Sequence, residues 1–196
     1  MNIYMKNISK ESLISPLAKI DKRASLVGNC IVEDDAVIFG ECHLENAVIR
    51  KNAIVRSSYI SNSEIGQETT VGPFANIKAN SKISNNCRIG NFVEIKNSTL
   101  GSWTKAAHLV YIGDAEVGER VNIGCGVVFA NYDGKNKHRC KVGNDVFIGC
   151  NCNLIAPRKI GNNCFIAAGT TLTQDLPNNS FSIGRQKDKF VENKKK

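Results

Sequence analysis

An aliphatic side chain returns every six residues, occasionally every five, along almost the whole of this 196-residue chain. The series starts Ile14, Ile20, Leu26, Val32, Ile38, continues to Ile123 and Phe129, then resumes at Val142, Ile148, Leu154, Ile160, Ile166 and Leu172. Of its 27 positions 25 are Ile, Leu or Val, where the chain's 45 such residues would supply about six by chance. A period of six fits neither an α-helix nor a long strand. It describes a short strand, a turn and another short strand, with the leading side chain turned inward each time. Three such units close a triangular coil of about 18 residues. The series predicts about nine coils, stacked at ~4.8 Å into a prism roughly 40 Å tall. The expected fold class is all-β, a parallel β-helix of hexapeptide repeats.

The other hexad positions agree. Glycine follows the lead at ten places, among them Gly66, Gly72, Gly90, Gly113, Gly124 and Gly149. Four places after the lead stands a small or β-branched residue, and five of the eight cysteines (Cys30, Cys42, Cys87, Cys152, Cys164) fall in that slot. There cysteine serves as a small buried hydrophobe rather than as half of a disulfide or a metal pair. Cys125, Cys140 and Cys150 lie outside it. The register breaks once, over residues 131–141, a polar stretch with the turn signal Asp133-Gly134. That predicts an external loop, and long loops in compact repeats often carry function. The chain thus divides into a lead-in over 1–13, the β-helix over 14–176 with its loop at 131–141, and an irregular basic tail over 177–196, opened by Pro177.

Charged residues at 22% and apolar residues at 42% describe a soluble globular chain. No run approaches the ~18 apolar residues of a spanning helix, and the first ten residues hold no apolar stretch of signal-peptide length. A cytoplasmic location and no membrane partner are expected. Half of the net charge of +8 comes from residues 181–196, where six basic residues oppose Asp188 and Glu192. With no nucleic-acid motif and no row of aromatics for stacking bases, nucleic acid is not an expected partner. A solvated tail that also meets an anionic cofactor is the better reading.

Stacked coils turn spacing into geometry. Lys78 and Lys96 each follow a lead and stand 18 apart, so they should lie one above the other; Glu94 and Tyr111 each precede a lead, one coil apart. Two stacked lysines either decorate a solvated face or invite a shared anion such as a phosphate. His108 falls in the coil that carries Tyr111, and a histidine of ordinary pKa suits proton removal from an attacking amine. His43 and His138 fall elsewhere, so a three-histidine zinc site is not expected, nor any other metal.

Several segments are far more specific than the hexad pattern. They are Val71-Gly72-Pro73-Phe74-Ala75, Gly90-Asn91-Phe92-Val93-Glu94-Ile95-Lys96, Lys105-Ala106-Ala107-His108-Leu109-Val110-Tyr111-Ile112-Gly113-Asp114-Ala115, Val121-Asn122-Ile123-Gly124, Asn131-Tyr132-Asp133-Gly134 and Ile166-Ala167-Ala168-Gly169-Thr170-Thr171. Residues 71–185 resemble the acetyltransferase domain of the bifunctional bacterial N-acetylglucosamine-1-phosphate uridyltransferase/glucosamine-1-phosphate acetyltransferases. The resemblance implies a left-handed β-helix, a homotrimer with sites between neighbouring prisms, and transfer of acetyl from acetyl-coenzyme A to the amine of glucosamine 1-phosphate, a step toward UDP-N-acetylglucosamine. It matches His108 to the general base and Lys78, Lys96, Tyr111 and Asn122 to residues that hold the sugar phosphate. Cys125, Asn131, Tyr132, Cys150, Ala168 and Arg185 match acetyl-coenzyme A contacts, the Cys125 N–H being the natural oxyanion donor. Glu94 matches a carboxylate expected to orient His108 or the amine.

The chain departs from the family pattern at three places. Lys78 stands where arginine is usual, replacing a bidentate phosphate fork by a point charge. Cys125 replaces alanine and Cys150 replaces serine, which opens an alternative of thiol chemistry or oxidation sensitivity. The Gly-rich nucleotide loop of the uridyltransferase half is not found, so no nucleotide-sugar synthesis is expected from this chain alone. Lys78 favours, as the alternative, a different amino sugar or a nucleotide-linked acceptor. A third reading is a non-catalytic scaffold for a separate nucleotidyltransferase.

Overall fold

A computed structural model describes residues 7–184 of the chain. Among these residues there is no helix, hence none long and apolar enough to cross a membrane. Twenty-six short strands wind into a three-faced parallel solenoid. The first face stacks ten strands, from Lys19–Ile20 through Asn122–Ile123 and Phe147–Ile148 to Phe181–Ser182. The second runs from Ser25–Val27 through Asn76–Lys78 to Thr171–Leu172, and the third stacks nine strands from Leu13–Ile14 to Arg158–Ile160. Two nine-residue strands, Arg88–Lys96 and Lys105–Gly113, bend round the edge between the first and second faces and belong to both. The result is an all-β hexapeptide solenoid of nine full coils and a partial tenth, consistent with a left-handed β-helix.

The lead residues line the axis. From Leu26 to Leu172 all are buried, and only Ile14 and Ile20, at the open first coil, are partly exposed. Each buried aliphatic side chain contributes roughly 1.5–3 kcal/mol relative to exposure. The slot four places on is filled as expected, Cys30, Cys42, Cys87, Cys152 and Cys164 all being buried. Cys140 is buried too, whereas Cys125 and Cys150 are exposed.

The turns between faces use a left-handed residue. Among the described residues twenty non-glycines have positive φ, and twelve of them are Asn or Asp, whose short side chains hydrogen-bond locally and tolerate that conformation. Between the third and first faces the asparagines just before the left-handed Asp145, Asn163 and Asn179 form a ladder: Asn162 Oδ1 accepts the Asn144 N–H at 2.8 Å, and Asn178 Oδ1 accepts the Asn162 N–H at 2.8 Å.

Winding continues past Pro177. Leu176 bridges Ile160 on the third face, and Phe181–Ser182 pairs with Phe165–Ile166 on the first. Leu176 thus holds the next lead place, only four residues after Leu172, and Ser182 the one after it, so the six-residue aliphatic series is lost beyond Leu172. On the other side of the register break, the strand Cys140–Val142 has already rejoined the third face, so the loop itself ends at Arg139.

Gly90 shows how tightly the coils stack. A Cβ on it would lie 1.9 Å from the Ala107 carbonyl oxygen, a backbone atom of the next coil. Gly90→Ala should therefore cost about 3 kcal/mol, read as a fall in the urea midpoint. Gly184→Ala, whose added carbon would meet Thr170 at an ordinary 3.5 Å, should leave the midpoint almost unchanged.

Candidate active site

On the second face, consecutive coils stack Asn76, Glu94, Tyr111 and Val128 in one column and Lys78, Lys96 and Gly113 in the next. Strand alternation turns Glu94 and Lys96 outward while Ile95 goes to the axis. Gly113 has a local reason. A Cβ there would sit 2.5 Å from the Tyr111 hydroxyl and 2.7 Å from the Asn131 side-chain nitrogen. The missing side chain lets the phenol lie beside Lys96 and lets Asn131 tuck in behind it. Lys78 donates to Glu94 at 2.9 Å, so this carboxylate is engaged within its own face, and among the described residues it makes no hydrogen bond to His108.

The loop that leaves after Ala130 folds back as a small hairpin. Tyr132 and Lys137 bridge antiparallel, and the His138 N–H donates to the Asn131 carbonyl at 2.7 Å. Asp133 ties the tip, accepting the N–H groups of Lys135 and Asn136 and contacting His138 Nε2 at 2.6 Å. Those contacts, the Asn136 N–H first and His138 next, hold its carboxyl well below the usual carboxylate range. The hairpin brings Lys137, which no spacing argument singled out, into hydrogen-bonding reach of Lys96. The nearness of the two side chains raises the pKa of Lys96 and lowers that of Lys137. An anion bound between two neighbouring ammonium groups would offset their repulsion.

Asp114 fixes both ends of this arrangement and was equally silent in the sequence. It is buried, with φ of 49°, and its carboxylate accepts the side-chain amides of Asn97 and Asn131. Its own carbonyl accepts the Cys140 N–H at 3.2 Å, so the loop's entry and exit are both tied to it. Burial pushes its carboxyl up, but the Asn97 and Asn131 hydrogen bonds, with Lys137 and Lys96 nearby, outweigh burial and leave it below its ordinary value.

His108 lies on the edge between the first and second faces, exposed, in register with Asn91 one coil before. By the same register Cys125, Cys150 and Ala168 follow it down that edge, all three exposed. Among the described residues the Cys125 N–H meets no protein acceptor. Asn122 stands on the first face, aligned with Lys105 and Phe147, in a groove of about 430 Å³ lined also by Trp103, Arg120 and Val121. It is therefore on the opposite side of the edge from Tyr111 and Lys96. A groove of similar size (about 440 Å³), lined by Leu13, Glu33 and Lys51 among others, lies on the first coils, away from these residues. Asn131 is buried with its amide on Asp114, and Tyr132 is exposed, its hydroxyl donating to the Gly134 carbonyl at 2.7 Å. Arg185 lies outside the described residues. Among those residues no group of three or more His, Cys, Asp or Glu is placed to hold a metal ion.

Comparison with known proteins fits this geometry. The model for the bacterial transferase hexapeptide (six repeats) matches residues 62–97 and 139–174. The bifunctional protein GlmU of Clostridium tetani is 49% identical over 162 residues, which is 83% of this chain and 36% of that protein. That of Listeria welshimeri is 46% identical over 168 residues, 86% of this chain and 37% of that protein. This chain is a GlmU homologue. It spans little more than a third of the length of those relatives, consistent with the acetyltransferase domain alone. Among solved structures, the UDP-N-acetylglucosamine O-acyltransferase (LpxA) of Moraxella catarrhalis RH4 superposes with a TM-score of 0.52 at 19% identity, over 86% of this chain and 68% of that one. At that identity the likeness is one of fold.

Asp114 yields a test that needs no substrate. Asp114→Asn keeps the size but loses the charge that two amides share, and should cost about 3 kcal/mol at neutral pH. The native carboxyl titrates below its unfolded value, so its contribution is complete above the unfolded pKa of ~3.9 and fades as pH falls through the lower folded one. Denaturation curves of wild type and variant should thus differ at pH 7 and converge in acid.

Proposed function

We propose that the chain is an acetyl-coenzyme A-dependent N-acetyltransferase acting on glucosamine 1-phosphate, working as a homotrimer. One observation carries the reading. Two lysines, Lys96 and Lys137, lie close enough beside Tyr111 to perturb each other, an anion-seeking arrangement, and the adjoining prism edge exposes His108. About half of the residues are identical to those of GlmU proteins over most of the chain, which supports the same assignment.

In this reading the sugar phosphate lies across Lys96, Lys137 and Tyr111, which places the amine toward the edge. His108 takes the amine's proton as nitrogen attacks the thioester carbonyl. The Cys125 N–H, left without a protein acceptor, donates to the oxyanion of the tetrahedral intermediate. Collapse expels the coenzyme A thiolate, a good leaving group, so no covalent enzyme intermediate is needed. The acetyl donor would run along the edge past Cys125, Cys150 and Ala168, with Asn131, Tyr132 and Arg185 as further contacts. Glu94 acts through Lys78, whose charge it shares. The Lys78–Glu94 pair also favours the second reading, a different amino sugar, since a paired lysine is a weaker phosphate ligand than the arginine fork it replaces.

Mass-spectrometric detection of N-acetylglucosamine 1-phosphate from acetyl-coenzyme A and glucosamine 1-phosphate tests the assignment directly. No product with wild type would end it. His108→Ala, at an exposed position, should fold normally and lower kcat by about 10²–10⁴; unchanged turnover would remove His108 from its role. Lys96→Ala should raise KM for the sugar phosphate at least tenfold.

Asn122 and Tyr111 lie on different faces, so a site using both needs the first face of one prism against the second face of another. Unfolding and co-refolding an equal mixture of His108→Ala and Asn122→Ala should then rebuild about a quarter of the wild-type sites in random trimers. Activity no higher than that of the two variants alone would place both residues in one subunit's site.

A further inference from the structure

Six of the eight cysteines are buried and two, Cys125 and Cys150, are exposed. The two exposed ones occupy the same place in consecutive coils. Asn122 pairs with Phe147 and Ile123 with Ile148, and the Asn151 N–H donates to the Cys125 carbonyl at 2.8 Å. Each follows a glycine and precedes a left-handed residue, Gly126 at φ 75° and Asn151 at φ 55°, so the two turns are near copies. Strands of adjacent coils are ~4.8 Å apart, inside the roughly 4.4–6.8 Å between the Cα atoms of a disulfide.

The neighbouring cysteines are poor competitors. Burial pushes the thiols of Cys42, Cys87, Cys140 and Cys152 up, which keeps them protonated and unreactive. Cys152, two residues from Cys150, points its sulfur inward at the Ala167 carbonyl, 3.2 Å away. Of the pairs in consecutive coils, the edge pair alone combines alignment with access.

We propose that Cys125 and Cys150 form an oxidation site, a dithiol that a peroxide closes to an intramolecular disulfide and thereby bars the acetyl donor from the edge. In the first step one thiolate attacks the peroxide oxygen, giving a sulfenic acid and hydroxide. In the second, the neighbouring thiol displaces water from that sulfenic acid and forms the S–S bond. Two electrons leave the sulfurs, and one hydrogen peroxide becomes two waters. The bridge lies over the Cys125 N–H and across the edge between His108 and Ala168. Its effect on activity rests on the acetyl-coenzyme A reading; the disulfide itself does not.

The test is to treat the full chain with hydrogen peroxide, alkylate remaining thiols, and map tryptic peptides without reduction. Expected is a cross-link between the fragments 121–135 and 142–158, about 2 Da lighter than their sum, absent in Cys150→Ser and retained in Cys152→Ala. The acetyl-transfer rate should fall at least tenfold on oxidation and recover with dithiothreitol. A link through Cys152, links only between separate chains, or no link at all would overturn the proposal. So would a link that leaves transfer at full rate. Should the reduced wild type transfer no acetyl group, the functional assignment fails, and the peptide map alone still decides whether the oxidation site exists.

Discussion

Each coil of this molecule completes its backbone hydrogen bonds on the coil before and the coil after. That single constraint fixes the distance between neighbouring coils and forbids slippage between them. The Gly90 position shows the consequence, since one added carbon would collide with the backbone of Ala107. The axis must then be filled by side chains of nearly constant size, which is why the lead place is so uniformly Ile, Leu or Val. The two exceptions, small Ala106 and large Phe129, are both fully buried.

Because the stacking is rigid, it also builds surfaces. Residues 17 or 18 apart become neighbours at strand spacing whatever their chemistry, so a pair of lysines can be held close with no partner selected for them. In a mobile scaffold Lys96 and Lys137 would part; here the sheet holds one, and a hairpin tied to Asp114 holds the other. The repulsion is borne by the fold and appears as a lowered pKa on Lys137. An anion that enters relieves it.

The fold was legible because its signal is an inward ladder repeated in every coil. It faded only where the step shortens to Leu176 and polar Ser182 takes the following lead place. The second-face columns were legible for the same reason: Lys78 over Lys96 and Glu94 beside Tyr111 follow from counting. Lys137 and Asp114 were not. Lys137 reaches the site through a hairpin outside the repeat, where counting carries no geometry. Asp114 sits in a left-handed turn, and its role depends on Asn97 from the coil before and Asn131 at the loop mouth. Asn122 shows a subtler limit. Counting from the leads places it before Ile123 on the first face and Tyr111 before Ile112 on the second, yet family likeness alone grouped the two in one site.

That division between faces bears on how such a site evolves. A single convex edge cannot enclose a ligand; it can only present groups on either side of itself. His108, Cys125 and Cys150 stand on the edge, Lys96 and Tyr111 on one flank, Asn122 on the other. Two such prisms laid side by side turn a convex edge and a flat flank into a cleft, and the cleft gains walls that neither prism owns. The external hairpin then adds the one thing that stacking strands cannot supply, a positive charge directed back over the face it left. In the trimeric reading, a protein built of repeats would thus obtain a concave, charge-lined site from two departures from repetition, one insertion and one neighbour.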